Sequence, residues 1–368
     1  MDIARRRFLR SLAAVPAALS AAAPGRAFAA GPQPARRTPM DTLVHVYKGR
    51  PPDHCVCDQA LRQLPDGSWA ILFMTGGDNE PRKANYVVLT RSTDRGATWA
   101  SKETVLRFRD RACLLSEAYV HGDELRVMVT THSGYFGNWL NFVLVSRDSG
   151  RSWDKPVPFE PMPRRAFIRN RYVSSWGEWF LPYQSYDAVS DPAASPLRDG
   201  SHKKALNGVL VSSDEGKTWT ASSPTGPVAG WAENNVVELR DGRMVMLIRA
   251  DGKGHLLRSA SVDKGRTWSR PAPADIPNPG SKFRLHRLAT GRIVLIHNPN
   301  PKPGHRNPLA LWASDDDMES WAHKRVLVDF PGKLQYPDGF VDEKEGAVHF
   351  AFDYNRHDLI YVGARLPA

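Results

Sequence analysis

Ser92-Thr93-Asp94-Arg95-Gly96-Ala97-Thr98-Trp99 is the stretch whose reading decides the fold, because the chain repeats it. It returns as Ser146-Arg147-Asp148-Ser149-Gly150-Arg151-Ser152-Trp153, then as Ser212-Ser213-Asp214-Glu215-Gly216-Lys217-Thr218-Trp219. A fourth copy is Ser261-Val262-Asp263-Lys264-Gly265-Arg266-Thr267-Trp268. A degenerate fifth runs from Ser314 to Trp321, keeping Ser314, Asp316, Ser320 and Trp321 but carrying Met318 in place of the glycine. The aspartates are 54, 66, 49 and 53 positions apart. A repeat with a period of 20 to 50 residues or slightly more marks a stacked or radial architecture. Within each copy the aspartate can accept hydrogen bonds from turn N–H groups, and glycine supplies a positive φ. The tryptophan offers a large apolar body to close a small unit. These residues are expected to be structural.

A β-hairpin pattern precedes each copy. Ala60–Leu64 turns at Pro65-Asp66-Gly67 into Trp69–Met74, and Val236–Leu239 turns at Asp241-Gly242 into Met244–Ile248. Equivalent pairs occur at Ala118–Val120 with Leu125–Thr130, Tyr172–Ser174 with Trp179–Tyr183, and Leu285–Leu288 with Ile293–His297. A sixth, Gly339–Asp342 with Val348–Phe352, is followed by Leu359–Val362 and no box. No helical period appears after residue 42. Six units of three or four strands predict an all-β, six-bladed β-propeller over residues 42–368. Thr42–Tyr47 is an orphan strand, expected to pair with the last blade and close the ring.

The rest of the composition agrees. Of 368 residues 41% are hydrophobic and 24% charged, with 28 glycines and 29 prolines, which excludes disorder and favours short strands joined by turns. Three cysteines, an odd number, exclude a fully paired disulfide framework. Residues 1–29 read as an export signal of the twin-arginine type, with Arg5-Arg6-Arg7 before Phe8-Leu9, an Ala-rich apolar stretch, and Ala27-Phe28-Ala29. Residues 30–41 read as a linker. Cleavage would remove five arginines and Asp2, lowering the formal charge from +11 to +7. The expected destination is periplasm or medium, the expected state a monomer, and the expected partner an acidic glycan. No nucleic-acid signature or membrane span is found in the mature chain. No cofactor or metal is called for, and no Gly-x-Ser-x-Gly elbow is present.

The repeated boxes resemble the Asp-box, or BNR, repeat of the sialidase (neuraminidase) superfamily, over roughly residues 42–366. The resemblance implies an exo-glycosidase that removes terminal sialic acid or a related acidic sugar by a retaining mechanism with a tyrosine nucleophile. It places that nucleophile at Tyr336, in Gln335-Tyr336-Pro337-Asp338, and its base at Glu233, in Trp231-Ala232-Glu233-Asn234. Two arginines of a three-arginine carboxylate clamp fall at Arg249 and Arg306, and the acid/base at Asp78, in Thr75-Gly76-Gly77-Asp78. The residue types suit the chemistry. A phenol needs a base to become nucleophilic, and an arginine fork can grip a carboxylate bidentately. Asp-boxes also occur in other propellers, so a hydrolase or lyase of uronic-acid polysaccharide and a non-catalytic glycan-binding propeller remain as alternatives.

The first blade departs from the pattern. Its opening, Asp53-His54-Cys55-Val56-Cys57-Asp58-Gln59, has no arginine where the family's first clamp residue belongs. Arg356, in a loop of the sixth blade, is the candidate replacement. His54, Asp58 and Asp338 are further candidate substrate contacts. The tract 164–171, with four arginines, reads either as an acidic-glycan subsite or as a solvated loop. Cys55, Cys57 and Cys113 allow a disulfide, a non-standard metal site or buried free thiols.

Overall fold

The computed structural model of the protein describes residues 41–367, apart from 164, 187–196, 198 and 199. The segments read as an export signal and as a linker, except Asp41, lie outside the described residues. The chain forms six small antiparallel sheets, one per sequence repeat, arranged as a six-bladed β-propeller. The first blade is β2 (Cys57–Gln63), β3 (Trp69–Thr75), β4 (Tyr86–Ser92) and β5 (Glu103–Leu106). The second is β6 (Ala112–His121), β7 (Glu124–His132), β8 (Leu140–Ser146) and β9 (Val157–Pro158). The fourth is β15 (Asn234–Glu238), β16 (Met244–Ile248), β17 (His255–Ser261) and β18 (Ala272–Pro277). The fifth is β19 (Arg284–Arg287), β20 (Ile293–His297), β21 (Leu309–Ser314) and β22 (His323–Val328).

The sixth blade closes the ring. Its strands β23 (Leu334–Asp342), β24 (Ala347–Tyr354) and β25 (Asp358–Arg365) are completed by β1 (Thr42–Lys48), which pairs with β25 from Thr42 opposite Gly363 to Lys48 opposite Asp358. The orphan strand of the sequence is thus the outermost strand of the last blade, and by pairing the first strand of the chain with the last it closes the ring.

The third blade is the irregular one. Besides β11 (Tyr172–Val173), a separate strand β10 (Ala166–Ile168) pairs with β12 (Trp179–Ser185), and β13 (Leu206–Ser212) and β14 (Thr220–Ala221) follow. The tract read as a subsite or a solvated loop is therefore partly strand, with Ala166, Phe167 and Ile168 buried. A 3₁₀ turn, Ser201–Lys203, precedes β13.

The second strands of the first, fourth and fifth blades, Trp69–Thr75, Met244–Ile248 and Ile293–His297, are buried along their whole length. Each blade is packed between two others, so both faces of its sheet leave water and the pattern is a continuous run rather than an alternation. The core accordingly lies between blades. Leu72 and Leu89 of the first blade share a cluster with Leu115 and Val127 of the second.

The repeated boxes staple these layers together. In the first, Ser92 Oγ accepts from the Gly96 N–H at 2.8 Å and donates to Asp94 Oδ1 at 2.8 Å. Asp94 accepts from the Thr98 N–H at 2.9 Å and from Thr98 Oγ1 at 2.5 Å. Glycine is required at Gly96 for two reasons: its φ is +89°, and a Cβ there would stand 2.6 Å from the Tyr361 ring of the sixth blade. The fifth box tolerates Met318 at φ +67°, where its N–H still reaches Ser314 Oγ and its side chain enters the core. Cys55, Cys57 and Cys113 are buried free thiols. Burial pushes the Cys55 thiol up to about 12 and Cys113 to about 11.

Candidate active site

First strands and second-strand ends of all six blades converge on one mouth of the ring. They enclose a cavity of about 400 Å³ whose wall includes Asp58, Glu80, Arg169, Glu233, Arg249, Lys282, Arg306, Tyr336 and Arg356. Tyr336 sits on its floor. The residue adopts φ +57° inside β23, at an irregularity between Gln335 and Asp338. Gln59 of the first blade holds the bulged carbonyls of Gln335 and Tyr336 through its side-chain amide. A tyrosine in the left-handed region is costly, and such strain concentrates where a side chain must be aimed. Only 7% of Tyr336 is exposed.

Three guanidinium groups from three blades surround that ring. The Cζ atoms of Arg306, Arg356 and Arg249 lie 4.8, 5.1 and 5.9 Å from its centroid. Arg306 donates to three neutral oxygens: the Tyr336 hydroxyl at 2.9 Å, the Gly280 carbonyl at 3.0 Å and Gln335 Oε1. Arg249 donates to Glu233 Oε2 at 3.0 Å and to Asp251 Oδ1 at 2.8 Å. Arg356 pairs with Glu80 and donates to Cys57 Sγ at 2.6 Å. Cys57 thus stands in the stretch where the family's first arginine is expected, and Arg356 reaches across from the sixth blade into the adjoining space.

Lys282, which precedes β19, is a site residue that the sequence alone does not nominate. Its ammonium pairs with Asp58, lies 4.0 Å from Glu233 Oε1 and sits 4.5 Å from the Tyr336 ring centroid. Burial pulls it down to about 8, Arg356 and Arg306 adding to the shift against Cys57 and Asp353. The available signal was positional: like Glu233 and Tyr336, it opens a blade. Arg169 approaches Asp58 at 3.8 Å from the third blade. One wall is apolar, formed by Phe136, Phe167 and Trp231, with Phe136 and Trp231 ring centroids 5.4 Å apart. Behind the floor, Asp353 is wholly buried, accepts from Gln335 and the Arg356 N–H, and is pushed up to about 6 by burial against the pull of Arg356 and Arg306.

The sequence matches a profile described as BNR repeat-like domain over residues 70–350. The chain belongs to the BNR repeat-like family. Among curated relatives it is similar to a sialidase of Paraclostridium sordellii, at 28% identity over 231 residues, 57% of this chain and 56% of that protein. It is also similar to a sialidase of Clostridium perfringens, at 24% identity over 306 residues, 74% of this chain and 78% of that protein. The fold matches that of the Hadza microbial sialidase Hz136 with a TM-score of 0.69 at 16% identity, covering 85% of this chain and 66% of that one. The chain thus spans little more than half of the first relative's length.

Within this BNR repeat-like propeller the candidate residues separate into three groups. Tyr336, Glu233, Arg249, Arg306, Arg356 and Asp58 all border the cavity. Asp78 does not: it is exposed, and the carboxylate delivered to the cavity by the same loop is Glu80. The reason is the turn at Gly76 (φ +100°) and Gly77 (φ +69°), after which Asn85 bonds the carbonyls of Gly76 and Asn79 and swings the next residue inward. His54 also lies off the cavity wall, its ring stacked on His357 at 5.4 Å. Asp338 faces a smaller cavity of about 50 Å³ below the floor, where Arg62 and Arg284 hold it and Arg62 also pairs with Glu117. As for a cation, Cys57, Asp58 and Glu80 could offer ligand atoms within 4.8 Å of one another. Arg356 and Lys282 already neutralise that trio.

Proposed function

We propose that the chain is a sialidase-like retaining glycosidase acting on a terminal acidic sugar. The observation that carries this reading is the set of three guanidinium groups within 6 Å of one buried tyrosine ring. Arginine forks grip a carboxylate bidentately, and a phenol nucleophile escapes the repulsion that an anionic nucleophile would meet from an anionic sugar. The sialidase names of the relatives support it.

In this reading Tyr336 Oη attacks the anomeric carbon while its proton passes toward Glu233. The glycosidic C–O bond breaks, and Glu80, in place of Asp78, protonates the departing oxygen. Water then attacks the same carbon, giving its proton to Glu80, and the tyrosyl–sugar bond breaks with the proton returned to Tyr336. Arg306, which donates to the phenol oxygen at 2.9 Å, and Lys282, over the ring face, stabilise the charge that develops there. Arg249, Arg306 and Arg356 hold the sugar carboxylate, Asp58 and Arg169 border its far side, and the Phe136–Trp231 wall takes an apolar substituent. Export of the folded enzyme through the segment around Arg5–Arg7 belongs to the same reading.

The test is a fluorogenic sialoside assay beside a panel of uronic-acid oligosaccharides. Turnover of the sialoside, abolished in Tyr336→Phe, is the expected result. Glu80→Gln is expected to lose natural glycosides while keeping aryl glycosides, whose leaving group needs no proton; Asp78→Asn is expected to keep both. Turnover that survives Tyr336→Phe refutes the tyrosine mechanism, and binding without turnover of any substrate favours a lectin-like propeller.

A further inference from the structure

On the face that carries the boxes and hairpin turns, four exposed arginines have carboxylate partners: Arg95 pairs with Glu345, Arg151 with Asp66, Arg243 with Asp241 and Arg266 with Glu178. On the loops that wall the cavity, exposed cations do not. Arg82, Lys83, Lys302 and Lys333 are all exposed; among the described residues none of them makes an ion pair, and Arg82 lies over the Tyr135 ring with its Cζ 4.6 Å from the centroid. Each lines the cavity or stands within two residues of a lining position, since Pro81, Gly304 and Lys333 itself form part of the wall.

The cavity is unbalanced in the same direction. Its wall holds six cations, Arg169, Arg249, Lys282, Arg306, Lys333 and Arg356, against the three carboxylates Asp58, Glu80 and Glu233. One bound sugar carboxylate would answer one of these three excess charges. Unanswered like charges gathered at a concave, partly desolvated site attract counter-ions, and a chain of linked anions meets them better than a single one.

We infer that the substrate is a polyacidic glycan, in which the acidic sugar held at Tyr336 is followed by further acidic sugars that lie along the Arg82, Lys83, Lys302 and Lys333 rim. The inference rests on the reading of the cavity as an acidic-sugar site. It adds that the remainder of the chain is anionic as well, rather than a neutral glycan capped by one acid.

The experiment compares, by titration calorimetry on the full chain carrying Tyr336→Phe to block turnover, a linear tetramer of sialic acid, tetragalacturonate, and sialyllactose with its single acid. At about 0.1 M salt, where the screening length is about 10 Å, one tetra-acid is expected to bind at least about tenfold more tightly than sialyllactose; at about 1 M the gap should close. Exposed ion pairs contribute about 0.2–1 kcal/mol each, so Lys83→Ser with Lys302→Ser should lower tetra-acid affinity about 2- to 30-fold and leave sialyllactose within about twofold. A melting curve checks the variant's fold, and the salt dependence of the parent chain tests the same point without any rim substitution. Binding of sialyllactose with no preference for either tetra-acid overturns the inference alone. No binding of any acidic sugar overturns it together with the reading beneath it. Equal competition by a single-stranded DNA of four phosphates also overturns it, because the rim would then discriminate nothing but charge. A preference for tetragalacturonate over both sialosides supports the polyacidic class while moving the sugar away from sialic acid.

Discussion

Replacing Arg356 with alanine tests whether the cation from the sixth blade completes the clamp that the first blade leaves open. In the folded protein its guanidinium stands 5.1 Å from the Tyr336 ring, beside Arg306 at 4.8 Å and Arg249 at 5.9 Å. A hydrogen bond to a charged group is worth about 1.5–3 kcal/mol when its partner is removed. At 1.4 kcal/mol per decade that predicts a loss of about 10- to 150-fold in affinity for a sugar carboxylate. The Arg356 side chain retains 27% exposure, so solvent screens it and the lower part of the range, about 10- to 30-fold, is expected. Loss of the guanidinium also strips Glu80 of its partner, which places a bare carboxylate beside the anionic ligand and acts in the same direction. The assay is the inhibition constant of the unsaturated sialic-acid analogue, measured at fixed ionic strength for the parent chain, Arg356→Ala and Arg356→Lys. Lysine keeps the charge but not the fork, so an intermediate value is expected. An inhibition constant for Arg356→Ala within about twofold of the parent would refute the reasoning and show that another cation grips the carboxylate.

Two further predictions concern the scaffold. Gly96→Ala is expected to destabilise the protein by about 2–4 kcal/mol, since it combines left-handed strain with a methyl group driven into Tyr361. Gly122→Ala, at φ +58° but with open space around it, should cost only about 1–2 kcal/mol by the same denaturant titration; equal costs would show that inter-blade packing is not the reason for glycine in the box. His297 is fully buried against the edge of Trp312, and burial pulls it down to about 3 from the usual 6.5. Its folded state binds the proton less readily than the unfolded chain, so its contribution is complete above pH 6.5 and is lost as pH falls toward 3, at up to about 1.4 kcal/mol per unit. Denaturant midpoints between pH 4 and 6.5 should therefore flatten by about one proton in His297→Phe, and an unchanged slope would contradict the buried neutral imidazole.

How much of this was legible before folding depends on the range of the interactions. A box is an eight-residue device whose hydrogen bonds span two to four positions, as from Asp94 to Ser92 and Thr98. Its chemistry is written in adjacent letters, and six hairpin patterns, five of them followed by a box, were enough to count the blades. The apolar second strands and the orphan first strand belong to the same class, because periodicity and strand number are local properties. Blade openings also follow from that count, and the resemblance to the sialidase family, laid on those blades, let Glu233, Arg249, Arg306 and Tyr336 be proposed as neighbours; all four border one cavity.

The rest required the ring to close. Arg356 meets Cys57 across 299 positions, and no spacing rule joins a loop of the last blade to a strand of the first. Lys282 acquires meaning only when folding brings Asp58 and the Tyr336 ring against it from other blades. Asp78 and Glu80 are two residues apart in one loop, and the choice between them was made by the φ values of Gly76 and Gly77 and by the bonds of Asn85. The sequence by itself determined the repeat, the blade and the number of blades, since each depends on contacts within one unit. Which charges face one another was decided by tertiary structure alone, since electrostatic partners are selected by distance in space, and that distance exists only after six blades are placed around one axis.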